Sequence, residues 1–186
     1  MRKIILNLAV TLDGFIEGPN GEIDWCIMDE NEMGKESAFD KFLESIDTIF
    51  YGRVSYDMWG QYQPASNASA FEKKLWENVH SKKKYVFSKH PKTDGKATFI
   101  SSDITERANE IKSQPGKNIW LYGGAGLITS FMNLKLVDSL LLAVHPVLLG
   151  SGKPLFSNIN NRIGLKLNKV ISSNSGVIVL DYDSMI

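Results

Sequence analysis

The chain has 186 residues, with 21 Lys and Arg against 21 Asp and Glu, so its formal net charge is zero. This balance argues against a dedicated nucleic-acid binder, which carries excess basic side chains to neutralise phosphates. Hydrophobic residues make up 43% of the chain, which argues against intrinsic disorder. No apolar run reaches the ~18 residues of a membrane helix, and the single Cys26 cannot form an internal disulfide. We therefore expect one globular domain over residues 1–186, with neither nucleic-acid nor membrane partners, in the reducing cytoplasm.

Eight apolar runs are predicted to be β-strands. Each is rich in Ile, Val, Leu, Phe or Tyr, and most are bounded by Gly, Asp, Asn or Ser. The runs cover residues 3–10, 47–51, 83–88, 97–100, 117–122, 138–147, 165–173 and 176–182. The turn composition of Ser173-Asn174-Ser175-Gly176 joins the last two runs into a predicted antiparallel hairpin.

Helical periodicity lies between the earlier strands. Apolar residues with the spacing of one helix face occur within 39–46 and again within 68–79. Asp103, with a glutamate three positions later, predicts a capping-box start for a helix over 104–113. A further helix is predicted over about 125–133. This alternation predicts an α/β fold with a mixed, mostly parallel sheet.

A glycine-rich turn connects the strand at 117–122 to the helix that follows it. The turn reads Gly123-Gly124-Ala125-Gly126. Glycines allow a sharp turn and close approach of a ligand, and the free N–H groups at a helix start attract phosphate. A tight turn without a ligand explains the same residues equally well. The motif is neither the dinucleotide-binding G-x-G-x-x-G nor a P-loop.

Two more predicted strands end in residues that suit anions. Gly52 is followed by Arg53 and Ser55 at the start of a short helix, where a guanidinium and a hydroxyl can bind a phosphate. Ser88 and Lys89 end the strand at 83–88. Each of these two groups of residues, taken alone, also fits an ordinary solvent-exposed strand end. Two phosphate-type turns after two strands favour a bound anion.

In their order along the chain, these motifs resemble the dihydrofolate-reductase-like fold. They read Thr11-Leu-Asp-Gly14, Tyr51-Gly-Arg53, Phe87-Ser-Lys89 and Tyr122-Gly-Gly-Ala-Gly126. The stretch Val144-His-Pro-Val-Leu-Leu-Gly-Ser-Gly-Lys-Pro-Leu-Phe156 is similar to the reductase domain of bacterial riboflavin biosynthesis, the RibD C-terminal family. The resemblance covers essentially the whole chain. It implies a three-layer α/β/α domain with about eight strands and an antiparallel C-terminal hairpin.

The resemblance implies NADPH as the cofactor. Gly52, Arg53 and Ser55 would hold its phosphates, while Ser88 and Lys89 would lie beside the adenosine 2′-phosphate. The glycine-rich turn would wrap the pyrophosphate, with a cis peptide bond between its paired glycines. The residues expected there are Gly123, Gly124, Ala125, Gly126 and Leu127. The family and the apolar C-terminal strands also suggest a homodimer.

The substrate side has fewer matching residues. Asp13 of the Leu-Asp-Gly motif is the first candidate for polarising or protonating a substrate, and Asp29 is the second. The glycine-rich loop before Trp25 resembles a lid over the nicotinamide, with Trp25 as its anchor and a substrate contact. Cys26 and His145 are predicted to be structural. The widely separated histidines predict no metal site.

The resemblance implies an NADPH-dependent reductase that transfers a hydride to a small heterocyclic or imine-type substrate, like 5-amino-6-(5-phosphoribosylamino)uracil reductase. Two alternatives stay open: a dihydrofolate (pterin) reductase, and a non-catalytic NADP-binding or regulatory protein. The charge distribution bears on the ligands. Residues 22–47 carry nine acids against two bases, and residues 71–96 carry eight bases against three acids. This separation predicts an anion at one end of a cleft and a neutral or cationic ring at the other.

Overall fold

A computed structural model describes residues 1–26 and 38–185 of the chain. The strands are β1 (Ile4–Thr11), β2 (Phe15–Glu17), β3 (Ile46–Gly52), β4 (Lys83–Phe87), β5 (Thr98–Ile100), β6 (Asn118–Gly123), β7 (Ser139–His145), β8 (Lys153–Pro154), β9 (Leu165–Ser172) and β10 (Ile178–Ser184). The helices are α1 (Ala38–Ser45), α2 (Arg53–Ser55), α3 (Ala70–His80), α4 (Ile104–Ser113) and α5 (Ala125–Asn133), and a π-helical turn at Tyr56–Gly60 continues α2.

Eight of the strands form one mixed sheet in the order β5-β4-β3-β6-β1-β7-β10-β9. The neighbours from β5 to β7 all pair in parallel, whereas β10 pairs antiparallel with both β7 and β9. The β9–β10 turn closes where the Ser173 N–H donates to Val177 O at 2.9 Å. The predicted fold class, a mostly parallel sheet with an antiparallel C-terminal hairpin, is therefore confirmed.

Helices cover both faces of this sheet. On one face, α4 and α5 pack Ile111, Ile128 and Phe131 against a core that includes Phe50 of β3. On the other face, α1 and α3 contribute to a second core around Tyr51 of β3. Because successive side chains of a strand point to opposite faces, adjacent residues of β3 enter different cores. This arrangement is the predicted three-layer architecture.

Three details differ from the expectations based on sequence. Asp103 adopts a left-handed conformation with φ of 52°, and its side chain makes no capping hydrogen bond, so the predicted capping box at α4 is wrong. Ile46 begins β3 instead of ending the preceding helix. The short β2–β8 pair was not predicted, because two- and three-residue strands carry too little periodicity to detect. No described helix is long and apolar enough to cross a membrane.

Candidate functional site

The carboxyl ends of the parallel strands meet at one edge of the sheet. Gly52 at the end of β3 pairs with Phe87 at the end of β4, and Tyr51 pairs with Gly123 at the end of β6. Thr11 at the end of β1 pairs with His145 at the end of β7. Ligands of open α/β sheets bind at this edge. Every motif singled out in the sequence follows one of these strands.

The turns after β3 and β6 are in direct contact, although about 70 residues separate them. A Cβ atom added to Gly52 would lie 3.1 Å from the carbonyl oxygen of Gly123. A Cβ added to Gly124 would lie 2.9 Å from Ser55 Oγ. Larger residues at these positions would force the two turns apart. The glycines therefore allow close packing of one turn on the other, whether or not a ligand is bound.

The glycine pair reverses the chain and begins α5. Gly123 and Gly124 have φ of 90° and 101°, both in the region that favours glycine. The described residues contain no cis peptide bond, so the cis bond expected between these glycines is wrong. Two successive positive φ angles make the turn instead. The N–H groups of Ala125 and Gly126 precede the first backbone hydrogen bond of α5, which the Leu127 N–H donates to Gly124 O at 2.9 Å.

We name Gly52, Arg53, Ser55 and residues 123–127 the cofactor cradle, because the family resemblance assigns the cofactor's phosphates to them. A Cβ added to Gly126 would meet no atom within 4 Å, so open space lies in front of the first turn of α5. The N-terminus of α5, Ser55 Oγ and the Arg53 guanidinium supply hydrogen-bond donors and positive charge.

An exposed cationic cluster adjoins the cradle. Arg53 Nη1 donates to Asp57 Oδ2 at 2.6 Å, and Lys92 Nζ lies 3.2 Å from Asp57 Oδ1. Lys89 is exposed. The Ser88 hydroxyl closes a local turn, donating to the His90 carbonyl oxygen at 3.0 Å. Lys92 was not singled out from the sequence, because only the folded loop after β4 brings it to the helix after β3.

Asp13 joins two loops at the carboxyl ends of β1 and β7. Its carboxylate accepts hydrogen bonds from Thr11 Oγ1 at 2.6 Å, from the Leu149 N–H at 3.0 Å and from the Gly150 N–H at 2.7 Å. The Thr11 hydroxyl and the Gly150 N–H lower the pKa of Asp13 below its ordinary value. Asp13 is therefore a carboxylate near neutral pH. A carboxylate can polarise a substrate, directly or through water, more readily than it can protonate one.

The neighbouring loops are held by the β2–β8 pair. The Leu155 N–H donates to Gly14 O at 2.9 Å, and Lys153 Nζ contacts Glu17 Oε2 at 2.5 Å. This pairing borders an open cleft of about 510 Å³, whose lining residues are Glu17, Gly18, Pro19, Gly21, Gly152 and Lys153. The glycine-rich loop predicted as a lid thus begins in an ordered strand pair.

The model of the RibD C-terminal domain family matches residues 2–179. The chain belongs to this family. It is 57% identical over 182 residues to the protein YyaP of Bacillus subtilis (strain 168), a match that covers 97% of this chain and 94% of YyaP.

Two solved structures show the fold of this RibD C-terminal domain. A putative riboflavin biosynthesis protein from Shewanella sp. PV-4 superposes with a TM-score of 0.80 at 19% identity, covering 99% of both chains. The second is the Thermotoga maritima diaminohydroxyphosphoribosylaminopyrimidine deaminase/5-amino-6-(5-phosphoribosylamino)uracil reductase. It superposes with a TM-score of 0.67 at 14% identity, covering 98% of this chain and 56% of that one.

In this RibD C-terminal domain, Trp25 and Cys26 pack against the end of β7. The Trp25 ring meets the His145 ring edge-on, with centroids 5.4 Å apart. Cys26 Sγ lies 3.9 Å from His145 Nε2. Burial raises the pKa of Cys26 and lowers that of His145, so both groups are neutral near pH 7. The pair is a thiol beside an imidazole, with no thiolate for nucleophilic attack.

Two tyrosines at the ends of β3 and β6 adjoin the cradle turns. Tyr51 and Tyr122 directly precede the glycines of the two turns, and their ring centroids are 4.9 Å apart. They were overlooked as site residues, because an aromatic residue near the end of a strand usually indicates core packing. Their shared position, one residue before a glycine turn, was the available signal.

Asp29 lies outside the described residues, among which no group of His, Cys, Asp or Glu could hold a metal ion.

Proposed function

We propose that this protein is an NADPH-dependent reductase that transfers a hydride to a small heterocyclic or imine-type substrate. Contact between the turns at Gly52 and Gly123 carries the proposal, because it brings the two phosphate-type turns together at the edge where α/β sheets bind ligands. The uracil reductase named for the Thermotoga maritima protein of the same fold supports a riboflavin-type reaction. The reducing cytoplasm supplies NADPH and suits a chain with one cysteine.

The cradle residues would divide the cofactor between them. The N–H groups at the start of α5 and the Ser55 hydroxyl would bind the pyrophosphate. Arg53, together with Ser88 and Lys89, would bind the adenosine 2′-phosphate and so select NADPH over NADH. When bound, NADPH supplies the hydride. The protein orients the nicotinamide and the substrate beside each other, and closed loops exclude water.

Asp13 is proposed to polarise the substrate, directly or through water, while it holds the loop at Leu149 and Gly150 in place. The substitution Asp13→Asn is expected to lower turnover and to leave NADPH affinity nearly unchanged, because Asp13 lies outside the cradle. Unchanged turnover would contradict this role. The roles of Trp25 and Asp29 as substrate contacts remain predictions.

The deciding experiment is a titration of NADPH and of NADH, followed by quenching of tryptophan fluorescence. NADPH is expected to bind more tightly than NADH, and Lys89→Gln is expected to reduce this preference. Absence of NADPH binding would overturn the proposal.

A matched pair of helix variants locates the pyrophosphate. Gly126→Ala adds a methyl group to the open space before α5 and is expected to weaken NADPH binding at least tenfold. Asn109→Ala changes an exposed residue of helix α4 and serves as the control, with unchanged affinity expected. Equal NADPH affinities of both variants would contradict binding of the pyrophosphate at the start of α5.

The two alternatives predict different assay results. A dihydrofolate reductase would oxidise NADPH when dihydrofolate is added. A non-catalytic NADP-binding protein would bind NADPH and oxidise it with neither a pterin nor an aminouracil. Substrate-dependent loss of NADPH absorbance with an aminouracil, and none with dihydrofolate, would support the riboflavin-type reaction.

We also propose that two copies of the chain form a homodimer through the C-terminal hairpin. Leu165, Leu167 and Val170 of β9 are 39%, 50% and 51% exposed, and Ile178 of β10 is 41% exposed. The register places them on one face of the hairpin, since the irregularity at Asn168 keeps Val170 on the same face as Leu167. An aliphatic sheet face of this kind is typical of a subunit interface.

A further inference from the structure

Two buried polar atoms near the carboxyl ends of the strands have no hydrogen-bond partner in the described part of the chain. They are Tyr51 Oη and Trp25 Nε1. Tyr51 is completely buried. Leaving a buried donor unpaired is unfavourable, and native structures contain few such groups. These two atoms therefore indicate groups that a bound molecule would satisfy.

Contacts between neighbouring side chains link the two residues that carry these atoms. From Tyr51 the tyrosine rings continue to Tyr122 on the neighbouring β6, and from Trp25 the contacts continue to His145 and Cys26. Burial raises the pKa of Tyr122, and nearby Cys26 adds a smaller effect in the same direction. Tyr122 therefore lies between Tyr51 on one side and the group of Cys26, His145 and Trp25 on the other. We name these five residues the ring site. It extends across the ends of β3, β6, β1 and β7, directly beside the cradle turns.

The chemistry of the ring site restricts its ligand. A tryptophan N–H can only donate, and a tyrosine hydroxyl donates readily to a carbonyl oxygen or a ring nitrogen. The aromatic side chains favour a planar partner. Its five residues include no Lys or Arg, and burial holds His145 neutral by lowering its pKa. A phosphate group would find no counter-charge among these five residues.

We propose that the ring site binds an uncharged planar heterocycle without a phosphate group, and that Tyr51 Oη and Trp25 Nε1 donate hydrogen bonds to its acceptor atoms. Trp25 is only partly buried and ends the glycine-rich loop. The claim that this heterocycle is the hydride acceptor rests on the proposed reductase function. The claim that a heterocycle binds at the ring site rests on the geometry alone.

Calorimetric titration with three probes tests the ligand class. Lumazine presents a planar ring with two carbonyl groups, 5-amino-6-(ribosylamino)uracil adds a sugar, and 5-amino-6-(5-phosphoribosylamino)uracil adds the phosphate. The first two are expected to bind, and the phosphorylated probe is expected to bind at least tenfold more weakly than its unphosphorylated form. Tighter binding of the phosphorylated probe would overturn the assignment of an unphosphorylated substrate.

The substitution Tyr51→Phe tests the hydroxyl itself with two readouts. It removes an unpaired buried group, so thermal stability is expected to stay the same or rise, while lumazine affinity falls about tenfold. A hydroxyl with a purely structural role would change stability and leave lumazine affinity intact, which would overturn the proposal. Tyr85→Phe, on the opposite face of the sheet, is the matched control and is expected to leave lumazine affinity unchanged.

An NADPH titration of the same samples separates the two proposals. Binding of NADPH without lumazine would overturn the ring site and leave the cofactor cradle standing. Binding of lumazine without NADPH would overturn the reductase function and leave the ring site standing. The difference in tryptophan fluorescence between wild type and Trp25→Phe identifies the part of the signal that comes from the ring site.

Discussion

The Asp13 carboxylate connects two loops that lie about 136 positions apart in the sequence. Three donors surround it, two of them backbone N–H groups of the loop after β7. A residue that belongs to a predicted functional motif is thus also a structural link. Loss of its charge should loosen the loop, and turnover alone cannot distinguish the two roles.

The pH dependence of stability makes this distinction. Because the pKa of Asp13 is lowered in the folded protein, its charged form stabilises the fold above its ordinary pKa of 3.8, and this contribution disappears as the pH falls through the lowered value. Asp13→Asn is therefore expected to unfold at a lower temperature than wild type near neutral pH. The difference should shrink as the pH falls through the lowered pKa of Asp13. Thermal unfolding followed by circular dichroism measures both, and a difference independent of pH would contradict the carboxylate link.

The turn before α5 depends on backbone conformations that only glycine adopts easily. A Cβ at Gly123 would lie 2.6 Å from Ile128 Cδ1, at a φ of 90°. Gly126 in the same element has open space around it. Two glycines of one motif therefore differ physically: the backbone and packing require a glycine at position 123, whereas Gly126 leaves open space at the start of the helix.

This difference predicts opposite effects on stability. Gly123→Ala is expected to lower the free energy of unfolding by about 1–3 kcal/mol, because the new methyl group strains the backbone and contacts Ile128. Gly126→Ala is expected to leave it unchanged or raise it by up to about 1 kcal/mol, since alanine favours a helix. Urea denaturation measures both variants. Equal losses in both would show that the helix start tolerates no side chain at all.

The opposite edge of the sheet is held by an ion pair. The guanidinium of Arg2, only 6% exposed, contacts Asp47 and donates to Thr48 Oγ1 at 2.6 Å, joining the start of β1 to that of β3. Arg2→Met is expected to cost about 2–3 kcal/mol, less than a fully buried pair because Asp47 is partly exposed. NADPH affinity of the folded variant should be unchanged, since the cradle lies at the other edge. Urea denaturation and fluorescence titration check both expectations, and weakened NADPH binding would argue against this separation.

At the level of the whole protein, the C-terminal hairpin is the part of the sheet with an exposed aliphatic face. Leu167→Lys and Val170→Lys together are expected to convert the proposed homodimer to a monomer, because two charges cannot be buried unpaired in an interface. Light scattering after gel filtration measures the mass. Lys169→Ala on the opposite face is the control and should stay dimeric. A monomeric wild-type chain would contradict the dimer.

The sequence by itself determined the elements and their class. All eight predicted strands agree with the observed bounds to within two residues, and the helices predicted at 104–113 and 125–133 agree in full. Periodicity and turn residues are local signals, so strands and helices follow directly from them. The glycine turns and basic residues of the cradle were found for the same reason, since each is a short motif after one strand.

Only the tertiary structure decided which of these motifs meet. Insertion of β6 between β3 and β1 brings Gly52 against Gly123, and the closing of loops brings Asp13 to Gly150. Strand order and register depend on contacts between residues distant in the chain, which no local pattern encodes. The unpaired Tyr51 hydroxyl appears only once its surroundings are known. Burial is a property of the fold. The unpaired buried hydroxyl, which is the most specific indication of the proposed ligand, therefore depends on the tertiary structure.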